Sequence, residues 1–80
     1  QQQAILLIDS SRVQLNGKST LNYPNAFTGS TREVKLSGEA YFDIAPDKQH
    51  PFIIHTGEVT TLVVGTSFNI KSDSDAVTVS

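Results

Sequence analysis

No cysteine, methionine or tryptophan occurs among the 80 residues of this chain. The absence of cysteine excludes disulfide bonds, thiolate chemistry and zinc–sulfur sites. No apolar run approaches the ~20 residues that a membrane-spanning helix needs, and no signal peptide is present. Because the chain does not begin with methionine, we expect it to be a processed or excised piece whose parent carries any membrane anchor elsewhere.

Charge is also sparse. Six basic and eight acidic residues give a formal net charge of −2, and the basic residues are scattered along the chain. The sequence therefore lacks the cationic patch of a nucleic-acid-binding protein and the charged run of a membrane-surface segment. A chain of this length is expected to form one domain that buries about 60–65% of its unfolded surface.

The clearest pattern in the sequence is the alternation between Arg32 and Ile44. Apolar or small residues occupy every second position, namely Val34, Leu36, Gly38, Ala40, Phe42 and Ile44. A period of two predicts a β-strand with one face toward a core. Fully extended, this stretch would reach roughly 35–40 Å, whereas a domain of this size has a radius of gyration of about 12 Å. We therefore predict a bend at Gly38, which has no Cβ to obstruct it.

A second alternating stretch runs from Val59 to Ile70. It predicts a corner at Gly65 and one inward face, which is formed by Leu62, Val64, Thr66, Phe68 and Ile70. Further strands are predicted at 1–8, 12–16, 52–56 and from Val77 onward. Turns are predicted at 9–11, 16–17 and 57–58, and a loop pinned by Phe27 follows Pro24. The expected fold is all-β, with short strands in a sandwich-like or solenoid-like stack and no substantial helix; the chain is one domain over 1–80, with closing strands expected after Ser80.

Candidate chemical sites are few. Gly17-Lys18-Ser19-Thr20 resembles the end of a phosphate-binding loop, but Arg12 occupies the position of its first glycine and no helix follows. His50 and His55 lie five positions apart, an odd offset, so an extended chain places them on opposite faces and not together at a metal site. Asp73-Ser74-Asp75 is interpreted as a solvated loop, since it lacks the ligand spacing of a calcium site.

Catalytic constellations are equally absent from the sequence. Glu33, Glu39 and Asp43 share the polar face of the central stretch and are interpreted as solvent-facing carboxylates. Neither histidine forms a recognisable triad motif. A glycan platform would require tryptophan or several tyrosines, and only Tyr23 and Tyr41 are present. We therefore predict a non-enzymatic protein without a catalytic, cofactor or metal site.

Several spaced motifs resemble the FecR domain of ferric-citrate-regulator-type anti-sigma factors. These motifs are REVKLSGEAYFDI from Arg32, PFIIHT from Pro51 and GTSFNI from Gly65. The motif residues singled out as structural are Gly38, Glu39, Ala40, Phe42, Pro51, Phe52, Gly65, Thr66 and Phe68.

The resemblance implies an all-β domain on the periplasmic face of the inner membrane, in a single-pass anti-sigma factor. It implies that the domain receives a signal from the N-terminal domain of a TonB-dependent outer-membrane transducer for siderophores or glycans. A cytoplasmic region outside this chain would bind the sigma factor. We expect the partner edge at Val77, Thr78 and Val79. Two alternatives remain open: a β-sandwich binding or adhesion module, for example for glycans, and the non-catalytic β-domain of an enzyme.

Overall fold

The computed structural model describes residues 2–72 and 77–79, which contain seven strands and no helix. The strands are β1 (Gln2–Leu6), β2 (Arg12–Asn22), β3 (Arg32–Asp43), β4 (Phe52–Thr56), β5 (Val59–Val63), β6 (Ser67–Ser72) and β7 (Val77–Val79). All seven belong to one mixed sheet, which confirms the all-β prediction. Across the described residues, no helix is long and apolar enough to cross a membrane.

Strand β3 is the centre of the sheet. Antiparallel β2 pairs with both halves of its first edge. The second edge is shared: β4 runs parallel to the segment Arg32–Lys35, and β6 runs antiparallel to the segment Glu39–Asp43. The change of partner falls around Gly38. Within the described residues, β1, β5 and β7 each pair on one side only, so the sheet has three outer strands.

The two ends of β3 lie close together in space. Twelve extended residues would span about 40 Å at ~3.3 Å per residue. Nevertheless, Arg32 Nη1, at the start of the strand, lies 2.8 Å from the carbonyl oxygen of Ala45, just beyond its end. A single side chain bridges this gap, so β3 must bend back on itself, as its length requires.

The bend in β3 coincides with an irregularity in β2. Asn16 pairs with Glu39 and Thr20 pairs with Ser37, so residues 17–19 of β2 face Gly38 alone. Gly17 and Gly38 both have positive φ, at 56° and 104°. The bulge adds an even number of residues to β2, and the inward face is therefore the same before and after it. The predicted chain reversal at Asn16-Gly17 is wrong, because residues that tolerate positive φ serve a bulge as well as a turn.

The core lies on one face of the curved sheet. Its buried side chains are Leu7, Val13, Leu15, Val34, Leu36, Ala40, Phe42, Ile44, Phe52, Ile54, Phe68 and Ile70. The rings of Phe42 and Phe68, paired across β3 and β6, stack with centroids 5.3 Å apart. Phe27, in the loop after Pro24, packs edge-to-face against Phe52 with ring centroids 6.0 Å apart. Phe27 therefore pins its loop to the core, as predicted. Burying each of these large side chains contributes about 1.5–3 kcal/mol.

Strand β5 departs from the predicted inward face. Leu62 and Val64 are 60% and 42% exposed, Thr66 is exposed, and it is Val63 that packs against the core. The prediction fails because β5 ends at Val63 and β6 begins at Ser67. The alternation of inward and outward residues does not continue through the break between these two strands. Phe68 and Ile70, in β6, are buried as predicted.

The predicted turns at both short hairpins are present. In the β1–β2 loop, Ser10 N donates to Leu7 O at 3.0 Å, and Leu7 N donates to Ser11 O at 2.8 Å. With Ser10 at φ 74°, this is a three-residue loop whose last residue is left-handed, a position that favours glycine. In the two-residue β4–β5 loop, Gly57 has a φ of 59° and Glu58 does not have positive φ, which is typical of a type II′ turn.

Candidate functional site

A buried arginine joins the β1–β2 loop to the β3–β4 connection. The side chain of Arg32 is only 4% exposed. Its Nε donates to the carbonyl of His50 at 2.6 Å, and its Nη1 donates to Asp9 Oδ2 at 2.7 Å and to the carbonyl of Ala45 at 2.8 Å. The guanidinium also lies 5.3 Å from the centroid of the Phe52 ring. We call this group, with Ser11, the Arg32 clasp.

Ser11 completes the Arg32 clasp. This fully buried residue donates its hydroxyl to Asp9 Oδ2 at 2.9 Å and accepts the amide of Ala45 at 2.9 Å. A buried charge requires a partner and hydrogen bonds, and Arg32 has both, so the clasp is structural. Sequence reasoning missed it. The available signal was register: Arg32 has the same parity as Val34 and Leu36, which places a charged residue on the core face.

Most of the motif residues build the sheet. Ala40, Phe42, Phe52 and Phe68 are core side chains. At Gly38, a Cβ would lie 2.7 Å from Ser19 Cβ, whose hydroxyl accepts the amide of Glu39 at 2.7 Å.

The remaining motif residues act through the backbone. At Gly65, a Cβ would lie 2.5 Å from Pro46 Cα. The carbonyls of Pro51 and Thr66 accept the amides of Arg32 and Ile44 at 2.8 and 2.9 Å. These motif positions therefore determine where neighbouring segments of the chain meet, and their backbone groups are engaged within the domain and not toward a ligand.

The outer face of β3 displays the predicted polar residues. Glu39 accepts hydrogen bonds from Asn16 Nδ2 at 2.9 Å and Asn69 Nδ2 at 3.2 Å, and these two bonds lower the pKa of its carboxyl. Asp43 accepts the hydroxyl of Ser67 at 2.9 Å. Tyr41, between them, is 45% exposed. This face is an ordered polar surface, with Tyr41 as its exposed aromatic side chain.

Each histidine pairs with a carboxylate, which the sequence did not indicate. His55 Nε2 lies 2.9 Å from Glu33 Oε1, and His50 Nδ1 lies 2.9 Å from Asp47 Oδ2. These hydrogen bonds lower the pKa of Glu33 and of Asp47 below their usual values. Among residues 2–72 and 77–79, no three side chains converge as metal ligands. Asp73 and Asp75 lie outside the described residues.

The nearest arrangement to a catalytic triad is Glu33, His55 and Thr60. Thr60 Oγ1 lies 3.5 Å from His55 Nδ1, at the limit of a hydrogen bond. The Glu33 and His55 side chains are 52% and 36% exposed on an open sheet face. Nucleophilic catalysis requires preorganised oxyanion donors in a water-excluded site, and an open face does not provide one. These residues form a surface polar cluster.

The two tyrosines do not form a joint platform. Tyr41 lines an open depression of about 600 Å³ over β1–β3, beside Ala4 and Leu6. Tyr23 lines a separate one with Lys35 and His55. A sugar ring therefore meets one aromatic side chain at a time, which is a weak basis for glycan recognition.

The outer strands offer a different kind of surface. Strand β7 pairs with β6 through Ser72↔Val77, Lys71↔Thr78 and Ile70↔Val79, and the described residues place nothing on its other side. The sequence predicted this strand. It did not predict that β5 is also an outer strand with exposed apolar side chains, because it placed Leu62 in the core.

Comparison with known proteins agrees with this architecture. The model of the family described as FecR protein matches residues 1–80. Two crystal structures of a "putative anti-sigma factor" from Parabacteroides distasonis superpose on the whole chain, each with a TM-score of 0.95 and 34% sequence identity. The chain spans 38% and 39% of the length of those two chains. No curated protein matches the chain.

Proposed function

Because the chain belongs to the FecR protein family, we propose that it is the signal-receiving domain of a membrane-anchored anti-sigma factor. The observation that carries the proposal is the family match over all of residues 1–80. The structural similarity to the Parabacteroides distasonis protein supports it. In this proposal the domain lies in the periplasm, at the inner membrane, and a cytoplasmic region outside this chain binds the sigma factor. Its role is regulatory and not enzymatic.

We propose that the signal comes from the N-terminal domain of a TonB-dependent outer-membrane transducer that imports siderophores or glycans. The described surface favours recognition between proteins, because its polar groups form hydrogen-bonded pairs on open sheet faces. Outer strands can also bind a partner by adding its strand to the sheet. We assign this role to β7, at Val77, Thr78 and Val79. Backbone pairing depends little on side chains, which suits cognate pairs whose sequences diverge.

The test is a titration of the transducer's signalling domain with the periplasmic region that contains this chain. Thr78→Pro removes a backbone donor from β7, and we expect it to weaken binding at least tenfold. Tyr41→Ala, on the outer face of β3, should change binding less than threefold. Circular dichroism and thermal melting check that both variants are folded.

Glu39→Lys is a second probe of the polar face. We expect it to fold and to weaken transducer binding little, although it removes the two hydrogen bonds from Asn16 and Asn69. Glu39→Gln is the milder control, since it keeps one acceptor oxygen. Loss of binding in the Tyr41 and Glu39 variants, with binding retained in Thr78→Pro, would make the polar face the receptor. Binding to a glycan array with no affinity for the transducer would favour the adhesion alternative.

A further inference from the structure

Strand β5 combines a free edge with exposed apolar side chains. It pairs with β4 alone, and the path of paired strands ends there in the described part of the chain. Val59 is 40% exposed and Leu62 is 60% exposed, and Val64, just after the strand, is 42% exposed. Alternate backbone N–H and C=O groups of an outer strand point away from its neighbour and remain free to pair.

The composition of β5 does not protect this edge. The segment Val59–Val64 contains only valine, threonine and leucine, with no charge, proline or glycine. Monomeric proteins usually blunt an outer strand with a lysine, a proline or a bulge, because an unprotected edge recruits another strand. The bulge of this sheet lies in β2 and leaves β5 regular.

The other outer strands are weaker candidates for pairing with the same strand of a second copy. Strand β7 is described over three residues, and β1 contains an alanine, which has low strand preference, beside two glutamines that are not β-branched. Strand β5 is five residues long and is made of β-branched residues and one leucine. Among the outer strands, β5 is therefore the one best suited to pair with the same strand of a second copy.

We propose that β5 pairs antiparallel with β5 of a second copy of this chain, about a two-fold axis at Thr61. The sequence of the strand is self-complementary in this register. Val59 faces Val63 of the second copy on the inner face, and Thr60 faces Leu62 on the outer face, so apolar residues or threonines meet at every pair. The arrangement joins the two sheets into one.

Charge permits this pairing. The strand itself is uncharged, and the net charge of each copy is only −2. The nearest flanking acid, Glu58, would lie about 20 Å from its symmetry mate, six residues along the paired strands. That distance exceeds the Debye length of ~8 Å at physiological ionic strength, so the two carboxylates repel little.

The pairing is expected to be weak. A five-residue strand on each side buries less than the ~1,200 Å² that stable interfaces need. We therefore expect a dissociation constant on the order of 100 µM, with the 80-residue chain monomeric at low micromolar concentration and dimeric near 1 mM.

Sedimentation equilibrium between 10 µM and 1 mM tests the proposal. Leu62→Lys replaces the apolar side chain opposite Thr60 of the second copy by a charge, and the two lysines lie diagonally across the strand pair on the outer face; we expect it to weaken self-association at least tenfold. Leu6→Lys, at the 71% exposed residue of β1, is the matched control and should leave the dissociation constant within twofold. A wild-type chain that stays monomeric at 1 mM, or equal effects of the two substitutions, overturns the proposal.

Cross-linking tests the register, because the chain has no cysteine of its own. Thr61→Cys brings two thiols face to face at the proposed axis, and a short bifunctional maleimide should link the copies at least tenfold faster than in Thr28→Cys, which lies in a loop. Equal rates overturn the register at Thr61. If Leu62→Lys instead weakens binding of the transducer domain while the wild-type chain remains a monomer, β5 belongs to that partner and the self-pairing proposal is wrong.

Discussion

At the scale of single residues, Arg32 shows how this small domain tolerates a charge on its core face. Isolated, a buried guanidinium would cost several kcal/mol. Here Asp9 supplies the opposite charge, three backbone carbonyls accept further N–H groups, and the guanidinium lies over the ring of Phe52. The same side chain thereby connects three chain segments that are distant in sequence.

We expect Arg32→Met to lower the free energy of unfolding by about 3–5 kcal/mol, because Asp9 and three backbone carbonyls lose their donor. Urea denaturation followed by circular dichroism measures this. Arg12→Met, at an exposed position of β2, is the control and should change stability by less than about 0.5 kcal/mol. Similar losses in the two variants would contradict the structural role of the Arg32 clasp.

Ser10 carries backbone strain that glycine would remove. Its φ of 74° is left-handed, which costs an L-residue about 1–2 kcal/mol. Glycine would relieve this strain, but the greater conformational entropy of glycine in the unfolded chain would offset part of the stabilisation. Ser10→Gly should therefore stabilise the protein by roughly 0.5–1 kcal/mol. Ser30→Gly, in the loop before β3, should not stabilise it. A lower melting temperature for Ser10→Gly would refute this reading of the β1–β2 loop.

Stability should fall in acid. Hydrogen bonds from His55 to Glu33 and from His50 to Asp47 lower the folded-state pKa of each carboxyl below its unfolded value. The stabilisation is therefore complete above the unfolded values of 4.5 and 3.8, and it is lost as pH falls through the folded values.

Thermal melts at pH 7 and pH 3 measure this dependence. Glu33→Gln removes one of the titrating groups, so we expect a smaller difference between the two melting temperatures than in the wild type. Glu58→Gln, in the β4–β5 turn, should leave the difference unchanged. An undiminished difference in Glu33→Gln would show that its pairing with His55 does not contribute.

At the scale of elements, the β2–β3 bulge is the device that lets a long strand change partners. Three residues of β2 face Gly38, whose missing side chain leaves room for Ser19. Because the insertion is even, Val13 and Leu21 still face the core on either side of it. The bulge bends the sheet and preserves its hydrophobic face.

Valine substitutions separate the two crowded glycines from an open one. We expect Gly38→Val and Gly65→Val to cost about 1–3 kcal/mol each, through the contact with Ser19 and the left-handed φ in one case and the contact with Pro46 in the other. Gly29→Val, where a Cβ meets nothing within 4 Å, should cost less. Equal melting temperatures for the three variants would contradict the role of both glycines.

The elements that sequence could predict are those with an uninterrupted period. The alternation from Val34 to Ile44 predicted a strand with the correct inward face, and the short apolar run Phe52–Thr56 predicted a strand with the correct bounds. The failures at Asn16-Gly17 and Leu62 have one cause. A glycine in the sequence indicates that the backbone can be irregular at that position. Whether the backbone forms a turn, a bulge or a strand break there depends on the neighbouring strand, which the local sequence does not reveal.

At the scale of the whole molecule, the sequence predicted the all-β fold class, but it did not predict which strands lie at the outside of the sheet or which surface side chains pair. Among the described residues, three strands lie at the outside of the sheet because of which strands pair, and no periodicity encodes that pairing. The pairings of Glu33 with His55 and of Asp9 with Arg32 join residues more than twenty positions apart, so local motifs do not reveal them. The exposure of Leu62 likewise follows from the break between β5 and β6, which the sequence pattern did not indicate.

The Arg32 clasp also constrains the order of folding. Its groups come from the β1–β2 loop, the start of β3 and the connection before β4, and they can meet only after β3 has bent around the core. Loop-closure entropy of this kind is overcome late, so the clasp is expected to form after the folding transition state. Arg32→Met should then accelerate unfolding and leave the refolding rate nearly unchanged. In kinetic terms the arginine acts as a latch, which sets how long the folded domain persists and has little influence on how fast it forms.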